Sequence, residues 1–238
     1  MFKKEPKENT KPVGGLPFFI SIFCLVIIAI NNLIMFPSLI FTRFNEDGAS
    51  ITNLLAFISI AVFSGIAAKF LLKNEIAVLI HEFKHRLSAN LVGNKYKKMN
   101  IEKDEGYIVY EYTKKTRMYN ALIALAPYHF PIFTILILFF SSIFWWGNHE
   151  IIMSLTAIGY GADFYLGISD VGPHQSDFTG IQGGYYVALV YVIAINICIA
   201  TFLLAWAFNG LSGIIYLIYG LAKIPMVIIN ALISKNNL

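Results

Sequence analysis

The residues best suited to chemistry are His81-Glu82-Phe83-Lys84-His85, which follow the apolar run Ile76-Ala77-Val78-Leu79-Ile80. Neither Gly nor Pro interrupts residues 75–92, so the stretch is predicted to be a helix. His81 and His85, four apart, then stand one above the other on a single face. Two imidazoles so placed can bind one zinc ion, and Glu82, beside the first of them, can take a proton from a water next to the metal as general base. The plain alternative is a polar helix face whose histidines meet only water.

A zinc site of this kind needs a third protein ligand. The chain has five aspartates, and Asp163, Asp170 and Asp177 fall within fifteen residues of one another. Asp163 lies in the otherwise uncharged stretch Gly159-Tyr160-Gly161-Ala162-Asp163-Phe164-Tyr165. A carboxylate in an apolar membrane segment costs about 2.5 to 3.5 kcal/mol unless it finds a partner. Zinc is such a partner, and Asp163 takes precedence as third ligand on that ground. Asp177, in Gln175-Ser176-Asp177-Phe178 just before an apolar span, is the alternative: a helix cap, a group holding a histidine, or the ligand itself. Asp170, His174 and His129 are the remaining candidates.

The elements that must hold these groups are membrane helices. With 57% hydrophobic residues, 13% charged residues and a mean hydropathy of +0.65, the chain is far more apolar than a soluble domain, and its apolar residues come in long runs. At 238 residues it suits a single membrane-embedded domain over 1–238. The net charge of +4 is divided between an N-terminal tail and one central loop, which speaks to orientation in a bilayer and not to nucleic acid. Cys24 and Cys198 sit inside apolar runs and suggest neither a disulfide framework nor a CxxC metal site.

In order, residues 1–15 form a polar tail carrying Lys3, Lys4, Lys7 and Lys11, and spans are expected at 16–41, 51–72, 121–146, 151–168, 185–208 and 211–233. Asn31 and Asn32 fall in the middle of the first, where hydrogen bonding to another helix is expected. The third is broken near its start by Ala126-Pro127-Tyr128-His129-Phe130-Pro131. The basic segment 94–119 carries seven Lys and Arg against four acids, which places it in the cytoplasm beside the tail. The motif helix is then expected to dip into the bundle and return, or to lie buried within it, since a full crossing would put the basic segment outside; this gives about six spans, a dipping helix and both termini cytoplasmic. Within the basic segment, residues 97–101 and 107–113 flank Glu102-Lys103-Asp104-Glu105-Gly106 as a β-hairpin. An edge strand beside the metal can hold an extended substrate by main-chain pairing.

An HExxH membrane helix, a following β-hairpin, a proline-broken span and a later intramembrane aspartate together resemble the site-2 protease family of intramembrane zinc metalloproteases. Residues 161–178, ending Gly-Pro-His-Gln-Ser-Asp-Phe, look like a divergent bacterial branch; the family's Leu-Asp-Gly signature is not in this chain. The resemblance implies an all-α polytopic fold in the bacterial cell membrane. It implies zinc held by two histidines and an aspartate, here His81, His85 and Asp163, with Glu82 serving the water, and a membrane-anchored protein as substrate. Two readings from other classes stand beside it: a transporter or metal permease whose His and Asp groups line a path, and an inactive membrane binding protein on the same scaffold. Glu82 separates them, because a metal path has no need of a non-ligand glutamate between its histidines.

Overall fold

A computed structural model of the chain describes residues 13–43, 48–102 and 105–236. The expectations placed on residues 1–12 of the tail and on Lys103-Asp104 of the hairpin turn lie outside these residues. The elements are helices α1 (Leu16–Arg43), α2 (Gly48–Leu71) and α3 (Asn74–Leu91), strands β1 (Lys95–Ile101) and β2 (Gly106–Glu111), then α4 (Asn120–Leu125), α5 (Ile132–Phe144), α6 (His149–Ser169), α7 (Ser176–Thr179) and α8 (Gly184–Asn236). Single 3-10 turns, Thr116–Tyr119 and Ala126–Tyr128, flank α4.

Leu16–Arg43, Ile51–Leu71, His149–Ser169 and Gly184–Lys223 are each long and apolar enough to cross a membrane. A fifth crossing is available if Thr116–Tyr128 and Ile132–Phe144, bent by 75° at the proline break, count as one. α8 is two helices, divided where the sequence divides it. Its 53 residues would run about 80 Å as a straight helix, against a hydrocarbon core of about 30 Å. The backbone leaves the helical region at Asn209 and at Gly210, whose φ of 55° suits a residue without Cβ. A Cβ on Gly213 would overlap the Ala205 carbonyl, although eight residues of helix would separate the two by about 12 Å. Residues 184–208 and 211–236 are therefore two antiparallel helices.

The chain forms two compact units. The second comprises Phe23–Leu71, Pro131–Tyr165 and Ile193–Leu238. In it Asn31 donates to the Leu217 carbonyl at 3.3 Å while Asn32 donates to Thr201 Oγ1 at 3.0 Å, so neighbouring amides of α1 hold both arms of α8. In lipid, where apolar packing has no water to escape, such bonds and close small-residue contacts hold helices together. The α2–α6 contact is of that second kind: a Cβ on Gly161 would overlap the Ala61 carbonyl, and Ser64 Oγ donates to the Ile158 carbonyl.

The first unit comprises Met1–Ile22, Leu72–Phe130 and Leu166–Val192. Its α3 begins after an extended Lys73, with Glu75 in the first turn where the helix dipole favours an acid. It ends through Gly93, φ 83°, while Asn94 N–H donates back to the Ala89 carbonyl at 2.9 Å. That reversal launches the hairpin, which pairs from Lys95 opposite Glu111 to Ile101 opposite Gly106, with a bulge between Tyr96 and Lys98. β2 alternates between half-buried Gly106, Ile108 and Tyr110 and exposed Tyr107, Val109 and Glu111, the period of a strand with one covered face. Arg86 lies over the Tyr96 ring at 4.3 Å and ties the sheet to α3.

Candidate metal centre

α3 puts the two histidine rings 5.0 Å apart. Facing them is α7, a single turn of helix whose Phe178 is fully buried against Tyr128 at 4.6 Å between ring centres. With Phe178 anchored, Asp177 beside it points at the histidines: its Oδ2 lies 3.2 Å from His81 Nε2 and 3.3 Å from His85 Nε2. The ligand atoms of His81, His85 and Asp177 all lie within 4.8 Å of one another.

The far side of each imidazole is also held. His85 Nδ1 is 2.8 Å from the Ile123 carbonyl, which can only accept, so Nδ1 donates there and Nε2 is the nitrogen left to face Asp177 and to serve as a metal ligand. His81 Nδ1 is 3.4 Å from Asp170 Oδ2, a carboxylate that favours the same orientation. Burial alone would push the His81 pKa down, but its hydrogen bonds to Asp170 and Asp177 prevail and raise it from 6.5 to about 9. Burial would push Asp177 up, and its bonds to His81 and His85 instead hold it well below the usual carboxylate range. A proton on His81 thus fills the place that a cation would fill among these three donors. Two nitrogens and one carboxylate oxygen, each oriented from behind, form a donor set that fits zinc.

Glu82, 6% exposed, lines the same cavity of about 510 Å³ with His81, His85, Asp177 and strand β2. Burial raises its pKa; the two histidines oppose this and Asp177 adds to it. Gly106 packs directly upon it, since a Cβ there would lie 2.7 Å from Glu82 Cγ and 3.0 Å from Val78 Cγ1. No side chain fits at that position without displacing Glu82 or the strand.

The geometry gathers Asp177 with the histidines and gives Asp163 a different setting. Asp163 is buried in the second unit, where its Oδ2 accepts from Thr134 N–H at 2.8 Å and from Thr134 Oγ1 at 2.9 Å. Thr134 is in the first turn of α5, whose leading N–H groups have no acceptor within the helix. A carboxylate there also meets the positive end of the helix dipole. The partner that an intramembrane acid requires is thus a helix N-terminus opened by Pro131. Of the other candidates, Asp170 supports His81, His174 is exposed, and His129 Nδ1 is bonded to the Leu125 carbonyl at 2.8 Å. Two contributors escaped the sequence reading: Gly106 at the foot of β2, and the Ile123 carbonyl, which as backbone carries no residue signal.

A family model described as Peptidase M50B-like matches residues 51–161. The matched family is a site-2 protease family of zinc metallopeptidases, and the matched stretch includes His81, Glu82 and His85 and stops short of Asp163, Asp170 and Asp177. No curated protein and no solved structure matches the chain.

Proposed function

We propose that this chain hydrolyses peptide bonds of membrane-anchored proteins at a zinc held by His81, His85 and Asp177, a reading supported by the match of residues 51–161 to the Peptidase M50B-like family model and by helices long and apolar enough to cross a membrane. The observation that carries this reading is the convergence of both Nε2 atoms on one Asp177 oxygen, with Glu82 in the same cavity. Zinc bound there supplies Lewis acidity, polarising a carbonyl and acidifying a water.

The residues of the chain handle protons and position. Glu82 takes a proton from the water as its oxygen bonds to the peptide carbon, then delivers that proton to the departing amine as the C–N bond breaks. Its raised pKa suits the exchange, because a base poised nearer neutrality accepts and releases a proton with less penalty. Asp170 and the Ile123 carbonyl fix which histidine nitrogen faces the donors. β2 lines the cavity through Gly106, Tyr107, Ile108 and Tyr110 and belongs to a two-stranded sheet. Its second edge can pair with an unwound, extended substrate.

The test is zinc content together with cleavage of a panel of membrane-anchored substrates by wild type and Glu82→Gln. The near-isosteric amide should keep zinc and fold while lowering cleavage by about 10²- to 10⁴-fold. Undiminished cleavage by Glu82→Gln sinks the proposal.

A further inference from the structure

The proline-broken segment does more than end a helix. Pro127 and Tyr128 form a 3-10 turn after α4, and Tyr128 is 1% exposed. Its hydroxyl donates to Asp177 Oδ2 at 3.0 Å, the same oxygen that faces both histidines. Its ring stands edge-on to His81 at 5.4 Å and to Phe178 at 4.6 Å. The backbone beneath it is closely confined, for a Cβ on Gly167 would lie 2.9 Å from the Tyr128 carbonyl oxygen.

Asp177 needs such a support. It sits on a helix of four residues, too short to be rigid by its own hydrogen bonds, and the carboxylate torsion of an aspartate is broad. We propose that Tyr128 is a positioning residue that aims Asp177 Oδ2 at the metal position, so that the break delivers the group orienting the third ligand. With Asp170 behind His81 and the Ile123 carbonyl behind His85, each donor then has one support of its own. This inference rests on the zinc reading above.

Tyr128→Phe removes the hydroxyl and keeps the ring's contacts with His81 and Phe178. Zinc affinity of the detergent-solubilised full chain, measured by competition with a chelator, should weaken by about 10- to 100-fold, with the melting temperature of the metal-free protein unchanged. The same change made in Asp177→Ala, where no carboxylate remains to be aimed, should leave the residual affinity unaltered. Equal zinc affinity in Tyr128→Phe and wild type overturns the proposal, as does an equal loss in both backgrounds, which marks a merely structural role. Wild-type protein that takes up no zinc fails the underlying metal reading instead and is recognised before any variant is compared.

Discussion

Asp163→Ala and Asp177→Ala should fail in opposite ways. Asp177 supplies one of three donors, so its loss should weaken zinc binding by more than the roughly 10- to 100-fold typical of a partner behind a ligand. At Asp163 the carboxylate accepts two bonds from Thr134. After truncation the threonine hydroxyl can turn to a backbone carbonyl of its own segment, but the amide, fixed in the first turn of α5, cannot. A buried donor left without its acceptor costs about 1 to 3 kcal/mol, and loss of the charge at the helix N-terminus adds up to about 2. Relief of about 2.5 to 3.5 kcal/mol of carboxylate burial offsets part of this, leaving a net loss of about 1 kcal/mol. Asp163→Ala should therefore melt a few degrees lower and carry full zinc. Metal analysis and thermal melting of both proteins decide the matter, and an empty Asp163→Ala beside a loaded Asp177→Ala refutes the assignment.

Zinc uptake should depend steeply on pH: with His81 at about 9 when metal-free, a proton must leave, and apparent affinity should rise about tenfold per unit from pH 6 to 8; a flat titration contradicts this. The metal-free fold should follow the opposite sign, since a raised histidine stabilises fully below 6.5 and loses its contribution as pH climbs through about 9. The depressed Asp177 stabilises above 3.8 and loses its contribution as pH falls through its lower folded value, so melting temperature should be highest between these ordinary values, 3.8 and 6.5. Gly106→Ala should leave zinc content unchanged while lowering kcat/KM about tenfold, the equivalent of about 1.4 kcal/mol of overpacking against Glu82; wild-type cleavage there would show that the contact is idle. Reporters fused at residue 1, near Lys98 and at residue 238 should all read as cytoplasmic, and an external signal at Lys98 would mean that α3 crosses the membrane.

The local parts of the site were legible because their signals are local. The i, i+4 histidines, the strand formers around a charged turn and the paired prolines each determine structure within a few residues. The hairpin occupies Lys95–Ile101 and Gly106–Glu111 rather than 97–101 and 107–113, because pairing starts at once from the Gly93 reversal. What spacing could not reveal was the partner of each aspartate. The intramembrane carboxylate of Asp163 meets the start of a helix 29 residues upstream, a relation set by tertiary packing. Spacing leaves Asp177 open as a helix cap, a group holding a histidine or the ligand itself; the burial of Phe178 next to it turns it inward.

The inward face of β2 runs from Gly106 through Ile108 to Tyr110, from no side chain to an aromatic ring. Sheet and helix touch where the strand is bare, directly over Glu82. A displacement at the foot of the hairpin is therefore felt at Glu82 itself, with no intervening side chain to absorb it.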